Sequence, residues 1–268
     1  MIEQETATRT PDTRRGRILE VLDSTGEQTV EQLADAFSVS GMTIRRDLQD
    51  LAAEGRVIRT HGGAAPTARI SFEFRFLQRA QQQAAEKDAI AAVAAELVQP
   101  GQAVLLDSGT TTLAIARRLR AIPELTVITT SLPIASELFG VEEVDLILLG
   151  GMLRKDAPDL AGAITHQNLD VLRADVAFIG ADAVDQQGNL YNSSAELGRM
   201  LSRMARSADA AYAVADSSKI GRRELMRFGH LRDWRGLITD RELDAKLRRS
   251  IVRAGGAVLQ PKRKGGAR

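Results

Sequence analysis

The chain of 268 residues carries 36 basic and 35 acidic side chains, is 44% apolar, and has three histidines and no cysteine. Such a length suits a module of about 60 residues beside a larger one near 200. The composition excludes disulfides, thiolate nucleophiles and Cys-based zinc sites, and a net charge of +1 removes any whole-molecule electrostatic case for a polyanionic partner.

Residues 1–12 are polar and unpatterned and read as a disordered tail. Beyond them Ile18, Leu19 and Leu22 share a helical face, and Thr29 with Gln32 makes a capping box ahead of VEQLADAF, where Val30, Leu33 and Phe37 recur at helical spacing. Ser40 can cap a third helix backed by Ile44, Leu48 and Leu51, which Gly55 closes. Arg56-Val57-Ile58-Arg59-Thr60 alternates as a strand does, and His61-Gly62-Gly63 suits a tight reversal. Three short helices and a β-ribbon predict a winged helix-turn-helix over residues 13–66.

At 100° per residue, Leu48 and Leu51 lie within about 40° of Ile44, while Met42, Arg46 and Gln49 lie opposite and Arg45 beside them. Arginine can grip guanine through two hydrogen bonds and glutamine can read adenine, so Met42, Arg45, Arg46 and Gln49 are the expected base-facing residues. Ser40 and Thr43 at the helix start, with Arg59 and His61 on the wing, are expected to hold phosphates. Residues 14–63 carry seven arginines against eight carboxylates, a balance that alone would suit a module contacting protein. Glu20, Asp23, Glu27, Glu31 and Asp35 fall on the first two helices, however, which leaves the front of the third basic and favours a double-stranded DNA operator.

Residues 67–85 read as a linker helix, starting near Phe72; Phe72, Phe74 and Phe76 suit either coupling between domains or packing on the second one. Over residues 86–261 the strand-like runs AVLLD, LTVIT, VDLILLG, DVAFIG, AAYAVAD, RGLIT and GAVLQ alternate with helical segments, predicting an α/β domain with a largely parallel sheet covered on both faces. Residues 262–268 form a basic tail.

The run AVLLD delivers Asp107 into Ser108-Gly109-Thr110-Thr111-Thr112 and then a helix, a layout that can cradle an anion or simply cap a helix after a turn. Asp182, in a second strand end, can take sugar hydroxyls, and Lys219, in a third, can offset phosphate charge. Gly150-Gly151 suits close backbone approach or a plain turn. His61, His166 and His230 are too scattered for a metal site, and no cofactor is expected. No stretch reaches the roughly 18 apolar residues of a membrane span, and MIEQETATRT lacks a signal-peptide pattern, so the expectation is a cytoplasmic protein without a membrane partner.

The string SVSGMTIRRDLQDLAAEGRVIRTHGGA resembles the DeoR family of bacterial transcriptional regulators, whose members carry Val-Ser-x-x-Thr-Ile-Arg-Arg-Asp-Leu and then Arg-Thr-His-Gly-Gly. Val39, Ser40, Thr43, Ile44, Arg45, Arg46, Asp47 and Leu48 match, as do residues 59–63; Gly41 is a poorer helix former than the family uses there. LLDSGTTT, LLGG followed by Arg154, IGAD and ADSSK resemble the family's effector domain, so the likeness spans about residues 13–240. It implies a fold similar to ribose-5-phosphate isomerase and a repressor that senses a phosphorylated sugar as a homo-dimer or tetramer. Ser108, Gly109, Thr110, Thr111, Thr112 and Lys219 would then hold phosphate, with Asp182 near the sugar; Asp107, at the end of its strand, is expected beside them, and Glu196 is expected as a helix-start charge or a ligand contact. This chain departs from the family at Thr130, where asparagine is usual, and at Leu201 and Ser202, where a basic pair is usual. Leu201 also falls where the isomerase keeps its catalytic carboxylate, which argues against enzymatic turnover. The alternative is a sugar-phosphate isomerase with an accessory DNA-binding module.

Overall fold

The computed structural model describes residues 11–66, 76 and 78–262, and the chain divides into two units, Met1–Arg75 and Phe76–Arg268. In the first, α1 (Pro11–Thr25) begins inside the expected tail, because Pro11 is preset for a first helical turn and Asp12 sets a carboxylate at the positive helix end. Residues 1–10 of that tail lie outside the described residues. β1 (Gln28–Thr29) precedes α2 (Val30–Phe37), whose Thr29–Gln32 capping box is formed. Ser40 accepts the Thr43 amide at 3.2 Å and starts α3 (Gly41–Ala53). The wing comprises β2 (Val57–Thr60) and β3 (Gly63–Pro66), with β1 pairing on the far side of β3. That third strand, two residues long, is too short for any periodicity to announce. Ile18, Leu22, Leu33, Ile44, Leu48 and Leu51 are fully enclosed between the three helices.

In the second unit the chain is helical at 76 and 78–81, breaks at Gln83, whose φ is +52°, and resumes as α4 (Ala84–Ala95). The boundary expected at 85/86 therefore falls inside α4. Phe76 is buried with Ile90, Ala94, Leu113 and Ile115, so for this residue the packing reading applies. Phe72, Phe74 and the rest of 67–75 lie outside the described residues.

Seven strands form one wholly parallel sheet: β4 (Ala103–Leu106), β5 (Leu125–Thr129), β6 (Val144–Leu148), β9 (Ala174–Gly180), β12 (Ala208–Val214), β14 (Gly236–Ile238) and β15 (Val258–Leu259), in the order β15-β14-β12-β9-β4-β5-β6. Neighbouring strand residues serve opposite cores. Val104 and Leu106 join the cluster of α4, α5 (Thr110–Leu119) and α6 (Leu132–Leu138), whereas Leu105 joins that of α7 (Ala163–Val171), α8 (Ala195–Arg206) and α9 (Ala245–Arg253). Strands buried on both faces explain the near-continuous apolar runs.

Two antiparallel additions were not foreseen. β7 (Met152–Leu153) pairs with β8 (Leu160–Ala161), and β10 (Ala183–Val184), β11 (Asn189–Asn192) and β13 (Met226–His230) form a small sheet. Their strands are short and partly polar, which hides the pattern. Gly151 explains where the first addition sits: a Cβ there would collide with the Thr165 hydroxyl and lie 2.7 Å from the Ala161 carbonyl. The Gly150-Gly151 pair thus permits close backbone approach and lets the β7–β8 hairpin press against α7. Among the described residues no helix is long and apolar enough to cross a membrane.

Candidate functional site

The chain runs from β4 outward through β5 to β6, then returns to place β9 on the other side of β4. Adjacent loops therefore diverge at the C-terminal ends of β4 and β9, the crevice where open parallel sheets take ligands. A cleft of about 250 Å³ opens there, floored by Asp107, Ser108, Gly109, Thr110 and Thr111 after β4 and by Gly180, Ala181 and Asp182 after β9. Lys219, on the 3-10 turn Ser217–Lys219 after β12, lines it too, as do Arg154 and Asp159 of the β7–β8 hairpin. Arg79 and Phe76 stand where the unit begins, and Leu197 and Leu201 of α8 are its apolar wall.

Asp107 fixes the floor. Its carboxylate accepts the Gly180 amide at 2.9 Å and the Gly109 amide at 3.2 Å, tying the ends of the two central strands together. A Cβ on Gly180 would come within 3.0 Å of that carboxylate, so the close approach needs glycine. Burial pushes the Asp107 carboxyl above its ordinary range, while the Gly180 and Gly109 amides and the Lys219 charge pull it back. Thr112 is enclosed below the floor, its hydroxyl donating to the Asp107 carbonyl at 3.0 Å and to the Gly109 carbonyl at 2.8 Å. It shapes the loop from outside the cleft lining.

Gly109 precedes α5 with no side-chain cap, so the first-turn amides lack a partner within the chain's own capping scheme. Thr110 and Thr111, which carry two of these amides, line the cleft. Lys219 is half-buried and makes no ion pair among the described residues. Uncapped amides and an ammonium without an ion pair at one end of a cleft are the groups an anion can recruit. Asp182 accepts both Ser193 donors, the amide at 3.0 Å and the hydroxyl at 2.8 Å.

Glu196 lies outside the cleft and is exposed. Leu197 and Leu201 are four residues apart on the inward face of α8, which turns Glu196, one residue before Leu197, about 100° away. Thr130 is likewise absent from the lining; its hydroxyl is buried without a partner. Asp185 and Asp216 do structural work instead: the first accepts from Asn189 and Tyr191, the second caps the turn that carries Lys219. Sequence reasoning missed Arg79 and Asp159 altogether and passed over Arg154 as part of a motif. Neither hairpin nor connector has a pattern that marks it as cleft wall.

In the N-terminal unit Met42, Arg45, Arg46 and Gln49 are all exposed on one side of α3, with Thr43 half-buried beside them. Arg59 and His61 are exposed on the wing, and the Arg59 guanidinium reaches the Arg45 carbonyl at 3.3 Å. The Ser40 hydroxyl already serves the Thr43 amide and lies 2.9 Å from the Thr43 hydroxyl. Asp47, in the motif's Arg-Arg-Asp, points inward: it is buried and pairs with the equally buried Arg14 at 2.5 Å. Arg15 pairs with Asp47 and Asp50. Both carboxylates of α3 are thereby neutralised from α1, and the outward face keeps its two arginines.

Two family profiles match the chain: the DeoR-like helix-turn-helix domain over residues 14–68 and the DeoR C terminal sensor domain over residues 82–241. The HTH-type transcriptional regulator GlpR of Haloferax volcanii is 35% identical over 249 residues, covering 93% of this chain and 97% of its own. The glycerol-3-phosphate regulon repressor of Escherichia coli is 32% identical over 219 residues, 81% of this chain and 86% of its own. A solved ribose 5-phosphate isomerase A from Methanocaldococcus jannaschii overlaps 52% of this chain and 55% of its own, at 20% identity and a TM-score of 0.39.

Proposed function

From the premise that the chain belongs to the DeoR family of DNA-binding transcriptional regulators, we propose that it represses genes of carbohydrate or polyol metabolism in the cytoplasm, and that a phosphorylated sugar or polyol in its cleft lifts repression. The observation that carries the effector half is the meeting of the uncapped α5 amides with Lys219 at the crevice between β4 and β9. The phosphate sits on Ser108, Gly109, Thr110, Thr111 and Lys219, with Arg79 and Arg154 within the same lining, and Asp182 takes a hydroxyl. A relative acting on a glycerol-3-phosphate regulon supports that ligand class. Leu201, an apolar residue in the cleft wall, supports binding without turnover.

On the DNA, Arg45, Arg46, Gln49 and Met42 meet base edges in the major groove while Ser40, Thr43, Arg59 and His61 meet phosphates. A two-fold homo-oligomer presents two such heads to two half-sites. Coupling runs through the connector: the cleft lining starts at Phe76 and Arg79, immediately after residues 67–75. Lys87 holds that entry in place. It is buried and donates to the Arg79 and Gln82 carbonyls, and burial lowers its pKa. The effector must bind the DNA-free arrangement more tightly than the DNA-bound one, since equal affinity shifts nothing.

The test is fluorescence anisotropy of the full chain on duplex from the region upstream of its own gene, with and without sugar phosphates. Tight, steeply salt-dependent binding that one phosphate ester relieves is expected. Absent or salt-insensitive binding at low ionic strength overturns the reading.

A further inference from the structure

Asp159 is fully enclosed yet forms part of the cleft wall. Its Oδ2 accepts the Ser108 hydroxyl, and Arg154 Nη1 lies 3.5 Å from the same oxygen. Its Oδ1 is buried and has no hydrogen-bond partner. A carboxylate has room for about four hydrogen bonds, so this one is under-supplied with donors. The main chain keeps it there: Ser131 faces Asp159 in a β-bridge, the Leu132 amide donates to the Pro158 carbonyl at 3.0 Å, and the Leu160 amide to the Thr130 carbonyl at 3.0 Å. Burial raises its pKa, with Ser108 and Arg154 opposing the rise.

Ser108 and Arg154 are also donors that a phosphate in this cleft would recruit. When they turn to the phosphate, Asp159 loses the donors it has, beside a new negative charge. A phosphate monoester dianion carries no P–OH and offers nothing in return unless its organic part does; an ester with a hydroxyl close to its phosphate supplies the missing donor. We propose that Asp159 is a specificity-determining residue, selecting hydroxylated phosphate esters over plain ones by accepting the ester's hydroxyl in place of Ser108 and Arg154. The proposal rests on the phosphate site assigned under Proposed function. A cleft built around a hydrogen-bonding group discriminates strongly against ligands that leave the group unpaired.

The experiment is calorimetric titration of the full chain and of Asp159→Asn at pH 7.5 with methyl phosphate, which has no hydroxyl on its organic part, and with glycerol 3-phosphate, ribose 5-phosphate and glucose 6-phosphate. The native chain should prefer at least one hydroxylated ester to methyl phosphate by tenfold or more. In Asp159→Asn that preference should fall at least tenfold, methyl phosphate binding more tightly and the hydroxylated ester more weakly. Asp159→Ser, read the same way, replaces the asparagine variant should circular dichroism show that variant unfolded. A preference unchanged by substitution, or a parallel loss for both ligands as a purely structural role predicts, overturns the proposal and leaves the phosphate site standing. Failure of the native chain to bind any of the four removes the phosphate site itself, and this proposal with it.

Discussion

In the DNA-binding unit Asp47 is buried against Arg14 and Arg15 pairs with both Asp47 and the part-exposed Asp50, while Arg45 and Arg46 stay exposed. In the sensor unit, cations and carboxylates share one cleft: Arg79, Arg154 and Lys219 with Asp107, Asp156, Asp159 and Asp182. The first arrangement neutralises the acids of α3 from α1 and leaves its arginines exposed, which suits a long polyanion read by a surface. The second interleaves both signs at hydrogen-bonding range, which suits a small molecule with one anionic end and several hydroxyls. Overall charge near neutrality conceals both.

The separation breaks most completely at its buried pair. Asp47→Ala strands Arg14 and should destabilise the N-terminal unit by about 3–5 kcal/mol. Urea melts followed by circular dichroism should show that unit's transition lost and the sensor's retained. Joint replacement, Arg14→Met with Asp47→Leu, should recover most of the loss, since a packed apolar pair substitutes well for a buried ion pair.

The outward face is next in size. Arg46→Ala should cost about 1–3 kcal/mol on the specific operator and relax base choice there. Arg59→Ala should weaken all sequences alike and reduce the salt slope by about 1. Anisotropy titrations at several salt concentrations separate the two, and identical behaviour would mean the wing and helix do not divide phosphate from base contacts.

In the interleaved cleft, Lys219→Ala should reduce affinity for an anionic effector by about tenfold, in line with the loss of one charge-assisted contact, and blunt induction accordingly. An undiminished response would move the phosphate elsewhere.

The smallest effect is a pH dependence. Asp107 and Asp159 both have raised folded-state pKa values because they are buried. Their contribution to stability is therefore fully present below the ordinary carboxylate range and is lost as pH rises through the raised values. The sensor unit's Tm should fall as pH climbs through that window. Asp159 is faced by Ser108, Arg154, Asp156 and Arg79, and Asp159→Asn, which cannot ionise, should flatten part of the slope. Native and variant slopes that coincide would show that Asp159 is not an ionised, under-bonded group.

Much of this was legible residue by residue. The Thr29–Gln32 capping box, the Ser40 cap, the apolar back of α3 and the strands β5 and β9 follow from spacing within a dozen residues. So does the Ser-Gly-Thr-Thr-Thr turn after β4 into α5. Glu196 lies outside the cleft lining because helical phase is set by Leu197 and Leu201, whose inward orientation depends on what α8 packs against. Asp159 and Arg79 were missed because nothing local distinguishes them from loop and linker residues. Thr112 was read as a ligand group because its neighbours were; a single step of helical rotation puts its hydroxyl under the loop.

By itself, then, the amino-acid order determined where the helices of the first unit and the strands of the parallel sheet lie, which faces are apolar and which short strings match a family motif, since all of these are periodic or adjacent along the chain. Tertiary structure alone decided that Asp47 is enclosed against Arg14, that the β7–β8 hairpin brings Arg154 and Asp159 to the loop after β4, and that the cleft begins at the end of the connector. Those are pairings across 33 and 51 positions of sequence, fixed by packing and by the crossing over of strand order, and no local periodicity encodes them.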